Sequence, residues 1–190
     1  LVASIEVECA EVLYLHSPNN ACTQISIVPD YPYAYNADEI EIAIENHHIQ
    51  YISICNNIIE ILAVHEEGAS FTVVWGDERI EKHIQLGYYV DAIELKLEGK
   101  AVTDKSITLQ VDNQVDNMVT ITYVVYSGGV PLTSTTLICS SDNDSIVGFQ
   151  REVGDCHLLI AKNAGKVQLV YQLAGCYEGQ VSYELEVKVV

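Results

Sequence analysis

Basic residues are scarce in this chain. Nine Lys and Arg stand against 27 Asp and Glu in 190 residues, for a formal charge of −18. Phosphate binding needs a cationic surface, which argues against a nucleic-acid partner. The same shortage argues against docking on an anionic membrane surface. No apolar run approaches the ~18 residues of a membrane helix. Met and Trp occur once each. Met118 precedes Cys139, whereas a blue-copper site needs Cys, a downstream His and then Met, so that site is excluded. No G-x-S-x-G elbow, P-loop, G-x-G-x-x-G or H-E-x-x-H is present. Nothing in the chain announces an enzyme, and none is expected. There is also no initiator Met and no basic stretch leading into an apolar one, so a chain beginning at Leu1 is expected to follow signal-peptide removal or trimming.

What the chain has in quantity is apolar alternation. Hydrophobic residues make up 49% of it and mean hydropathy is +0.16, ample for a packed core. Leu1, Ala3, Ile5, Val7 and Cys9 share one face of an extended segment, with Ser4, Glu6 and Glu8 on the other. The parity blurs after Cys9, which points to a bulge or a change of partner sheet. In "DEIEIAIEN" Ile40, Ile42 and Ile44 face one way, and in the last segment Val181, Tyr183, Leu185, Val187 and Val189 do. Tight-turn pairs separate apolar runs at Asn56-Asn57, Gly76-Asp77 and Gly128-Gly129, and a further turn is expected at Asn163 to Gly165. "IIEILAVHEE" and "DERIEKHIQ" have a helical look, but their hairpin context makes them strands.

The resulting count, about a dozen strands at ~8–12-residue spacing, predicts an all-β protein. The expected architecture is an antiparallel β-sandwich, Ig-like or jelly-roll-like. The expected division is a candidate donor strand at 1–9 and one sandwich domain over 10–190. A loop or insert is expected near 29–39, and no internal repeat is visible.

Six cysteines, Cys9, Cys22, Cys55, Cys139, Cys156 and Cys176, are too far apart for a C-x-x-C metal or redox pair. Their even number favours disulfides in an exported protein, against free thiols packed as small apolar residues. No cofactor is expected, with one possible exception. "SSDNDS" gathers Asp142, Asn143 and Asp144 as hard oxygen ligands for calcium, though without the Gly and final Glu of an EF-hand. The same stretch carries the sequon Asn143-Asp144-Ser145, a candidate glycosylation site. Tyr31, Tyr33 and Tyr35 lie on one side of an extended segment, and with Trp75 they form a candidate aromatic contact for sugar rings or another subunit.

The first nine residues raise a question of pairing. They carry no Lys, Pro or Gly to blunt an edge. Pairing within the same sheet would satisfy them, and so would donation to the next subunit in an open head-to-tail homopolymer. In layout, and in the segment Leu1 to Cys9, the chain resembles subunits of archaeal extracellular filaments such as threads and bundling pili. The resemblance implies a secreted structural subunit at the cell surface whose N-terminal strand completes its neighbour's sandwich. The alternatives are a carbohydrate-binding sandwich using Tyr31, Tyr33, Tyr35 or Trp75, and a viral capsid or decoration protein.

Overall fold

A computed structural model describes residues 5–29, 40–44, 49–55, 58–63, 68–111, 117–151 and 156–190, with side chains described for 6–21, 41–44, 68–111, 117–150 and 156–190. All regular structure among them is β. Contacts group the chain into two compact units, Leu1–Tyr89 and Val90–Val190, and each has its own apolar cluster. The sequence reading placed 10–190 in one domain. Period-two alternation marks which residues face a core but not which core they face, so the division is silent in the sequence.

Unit 1 comprises β1 (Ile5–Glu8), β2 (Val12–Leu15), β3 (Cys22–Pro29), β4 (Ile40–Ile44), β5 (Ile49–Cys55), β6 (Ile58–Ala63), β7 (Ala69–Trp75) and β8 (Glu78–Val90), whose last residue belongs to unit 2. One sheet runs β1-β3-β6-β5; in the other, β2 pairs with β8, and β7 lies between β8 and β4. The break in parity after Cys9 is a change of sheet, since β1 pairs with β3 and β2 with β8. The core gathers Val7 from the first sheet with Leu13, Phe71, Val73 and Ile84 from the second.

Unit 2 comprises β9 (Ala92–Leu97), β10 (Lys100–Ala101), β11 (Ser106–Leu109), β12 (Met118–Ser127), β13 (Val130–Pro131), β14 (Leu137–Ser141), β15 (Val147–Arg151), β16 (Cys156–Ala161), β17 (Gly165–Leu173), β18 (Tyr177–Gly179) and β19 (Ser182–Val189). Its sheets run β10-β9-β12-β16-β15 and β11-β19-β17-β14. Buried residues alternate with more exposed ones along β12, β17 and β19. Ile121, Leu159, Leu169 and Leu185, from both sheets, are fully buried in one cluster. Burying a side chain of this size stabilises by roughly 1.5–3 kcal/mol.

Without the short β10, β13 and β18, the strands of unit 2 taken in chain order follow the layout of unit 1. In both, the first, third, sixth and fifth strands form one sheet, and the second, eighth, seventh and fourth form the other. All these pairings are antiparallel except that of the second strand with the last, which is parallel in both units. This is the ABED and CFG arrangement of an immunoglobulin-type sandwich, with an added strand beside G. A repeat absent from the residue pattern is therefore present in the topology.

The hairpins are borne out in part. Gly76-Asp77 joins β7 to β8 with Trp75 opposite Glu78, and Gly76 has φ +59°. Gly128 and Gly129 both have positive φ, 58° and 74°, as the turn between Ser127 and Val130 requires. The return strand β13 is only two residues long, however, and the long ladders of β12 are made with β9 and β16. The turn at Asn163 to Gly165 is no hairpin at all. It carries the chain from β16 in one sheet to β17 in the other. Asn56-Asn57 lies outside the described residues, although β5 and β6 pair on either side of it. Residues 30–39 of the expected loop are also outside them.

Candidate functional site

The described part of the opening strand is paired within its own chain. Ile5, Glu6, Val7 and Glu8 lie opposite Pro29, Val28, Ile27 and Ser26 of β3. Val7 is 3% exposed within the unit 1 core, and Cys9 packs against that core. Leu1 and Ala3 lie outside the described residues. Of the two pairings that the sequence allows, this single chain adopts the internal one.

The expected disulfides are corrected for four cysteines. Cys9, Cys139, Cys156 and Cys176 form no disulfide, and the side chains of Cys22 and Cys55 lie outside the described set. The physical reason is the one set against disulfides above, that a thiol packs as a small apolar group. Cys139 shows it most plainly, facing the unit 2 core from β14. Burial raises the Cys9 thiol against the opposing pull of Lys82.

The stretch from Asp142 to Ile146 is a turn whose polar groups serve one another. Asp142 Oδ1 accepts the Gln168 N–H at 3.0 Å. Asn143 Oδ1 accepts the N–H of Ser145 at 3.1 Å and its hydroxyl at 2.6 Å. The Lys162 ammonium donates to the Asp144 carbonyl at 3.0 Å. A cation already sits against the loop, and one carboxylate is engaged with backbone, which leaves a poor calcium cradle. No group of three or more His, Cys, Asp or Glu among the described residues could hold a metal. The sequon residue Asn143 is exposed.

Trp75 is corrected as a candidate contact. It is 8% exposed and belongs to the unit 1 core, so it offers no open face for a sugar ring. Tyr31, Tyr33 and Tyr35 lie outside the described residues.

Among the described residues, a cluster of chemistry-bearing side chains that the sequence reading passed over lies in unit 2. His157, on β16, is 3% exposed. Its ring stacks on that of Tyr171 from β17 and lies tilted against Tyr123 from β12. The Tyr123 hydroxyl donates to the Thr135 carbonyl at 3.1 Å and accepts the Leu137 N–H at 3.2 Å. Beside this cluster a cavity of about 130 Å³ is lined by Leu137, Ile138, Cys139, Phe149 and His157. Burial pushes the Cys139 thiol up to about 11, opposed by the Tyr171 hydroxyl and aided by Asp144. A catalytic thiol needs the opposite shift, because the thiolate is the nucleophile. The shift makes Cys139 a poor nucleophile, and Tyr123, Cys139 and Tyr171 pack as part of the unit 2 core. The signal that could have found it is "CHLLIA", where His157 shares the inward parity of Leu159 and Ala161.

No family model matches the chain, and no curated protein matches it. Among solved structures it is similar to domains 4 and 5 of the S-layer protein SbsC, with 9% identity and a TM-score of 0.41 over 81% of this chain and 78% of that one. A fragment of titin, A168–A169, matches at 8% identity and TM-score 0.43 over the whole of both chains. The chain spans about a third of the length of the SbsC domain 4–9 fragment that it also matches, at 13% identity and TM-score 0.36. At these identities and scores the likeness brings neither function nor partner to this chain.

Proposed function

We propose that this chain is a structural module of a cell-surface or extracellular protein, two sandwich units in series acting as a building block rather than a catalyst. The observation that supports it is the repetition of one eight-stranded topology in a single chain. Tandem sandwiches extend a surface protein by adding units, each with its own core. The chemistry-bearing residues of unit 2 are spent on packing, with Tyr123 bonded to backbone and Cys139 held protonated. With four cysteines outside any disulfide, cysteine parity no longer supports export, and the surface assignment rests on the tandem arrangement and the acid-rich composition.

Self-association of so acidic a chain has to overcome charge repulsion, which salt screens only beyond about 8 Å at ~0.15 M. Assembly should therefore be favoured near the pI of about 4.4 or by divalent cations, and it needs no donated strand because β1 is engaged at home. The test is immunogold labelling of intact native cells, paired with sedimentation velocity at pH 4 to 5 with and without calcium. Gold on the cell exterior with larger species in solution is the expected result. Label confined to the cell interior would overturn the reading.

A further inference from the structure

We infer that each unit is built to bear tension along the chain, through the parallel ladder that ties its second strand to its exit strand. In unit 1, Val12 to Leu15 pair in parallel with Gln85 to Tyr88, and the Gln85 N–H donates to the Glu11 carbonyl at 2.9 Å. In unit 2, Ser106 to Leu109 pair in parallel with Glu186 to Val189, and the Glu186 N–H donates to the Lys105 carbonyl at 2.9 Å. The same bond thus opens the same ladder in both units.

The consequence is geometric. Once the first strand has come away from its own partner, β3 in unit 1 and β12 in unit 2, tension reaches the second strand from its N-terminal side and the last strand from its C-terminal side. Two parallel strands pulled in that way slide along each other, so every hydrogen bond of the ladder is strained at once. Strands pulled apart from one shared end lose their bonds singly. Buried side chains back both ladders, Leu13 and Leu86 in unit 1, Ile107 and Val187 in unit 2. They keep water from replacing a strained bond before its neighbours fail. In unit 2 the ladder continues, with the Val190 N–H donating to Leu109 at 3.0 Å and the Val111 N–H donating to Val190 at 2.9 Å. This mechanical role is independent of where the protein resides.

The test is single-molecule force spectroscopy on the full chain. Pulled by its two ends, the chain should give two unfolding events, one for each unit. Attachment through Asp104→azidophenylalanine and Ser182→azidophenylalanine, both exposed positions, instead separates β11 and β19 from the same end. Unit 2 should then open at several-fold lower force although its equilibrium stability is unchanged. Val111→Pro, which removes one ladder N–H, should lower the force of one event in end-to-end pulling and leave the other alone. Equal forces in the two pulling geometries would overturn the inference, and so would a Val111→Pro chain with both events unchanged.

Discussion

The imidazole of His157 lies on the ring of Tyr171, with centroids 5.5 Å apart and 12° between the planes. The two residues come from different sheets of unit 2, on β16 and β17, so the stack spans the sandwich. Tyr123, on β12, approaches the same imidazole at 5.8 Å. The strands β12 and β17 occupy the B and F places, which a disulfide joins in antibody domains. Here aromatic rings occupy that place.

Two tyrosine substitutions separate ring from hydroxyl. Tyr123→Phe would strand the Leu137 N–H and the Thr135 carbonyl, at a cost of about 1–3 kcal/mol in urea unfolding of unit 2. Tyr171 Oη is buried with no hydrogen bond of normal geometry, only the Cys139 sulfur alongside as a weak acceptor. Tyr171→Phe should therefore change stability by less than ~1 kcal/mol, while Tyr171→Ala should cost about 3–5 kcal/mol. Equal losses for the two Phe variants would refute this division of labour.

Unit 2 should lose stability in alkali. Burial raises both Cys139, to about 11, and Tyr171. A group whose folded pKa is raised favours the folded state while it stays protonated. Its contribution is complete below the unfolded pKa, near 8.5 for a thiol, and drains away as pH rises towards the folded value. The urea midpoint should be flat through neutrality and fall from about pH 9. Cys139→Ala should shift the fall upward in pH, and an identical profile for that variant would count against Cys139 as the source.

How far the sequence foretold this structure depends on what alternation encodes. Val181, Tyr183, Leu185, Val187 and Val189 were legible as one face, and the last four are buried together. Gly76-Asp77 was legible because only a tight turn fits two residues between such runs. The turn at Asn163 to Gly165 looked the same, yet it changes sheets, because residue types near a turn do not specify which strand the chain meets next. The duplication was hidden for a related reason. Topology is set by pairing partners, and Phe71 in one unit and Tyr171 in the other fill central core places with different chemistry. Nothing in the sequence reading singled out His157, although its parity with Leu159 places it inside.

Reductant should leave unit 2 as it is. Cys139, Cys156 and Cys176 are in no disulfide, so no cross-link constrains its unfolded chain. Urea unfolding with and without dithiothreitol should superimpose for this unit. A native disulfide would instead be worth about 2–4 kcal/mol, far outside experimental scatter. Thiol labelling of the folded protein should spare Cys139, which is 7% exposed and held protonated, and modify Cys156 and Cys176 first.

Val7 separates an internal first strand from a donated one. Its side chain is 3% exposed in the core of unit 1, on a strand hydrogen-bonded to β3 of the same chain. Val7→Asp would bury a carboxylate among Leu13, Phe71 and Ile84, a change that costs several kcal/mol unless the strand lets go. If β1 belongs to its own unit, unit 1 should be destabilised even in dilute monomer, and Val7→Ala should cost about 1–3 kcal/mol there, with unit 2 unaffected. A donated strand gives the reverse pattern, because dilute monomer would not depend on Val7 while assembly would. Urea unfolding at low concentration, set beside sedimentation at high concentration, distinguishes the two patterns. Loss of unit 1 stability in the monomer is the outcome the pairing of Val7 with Ile27 requires.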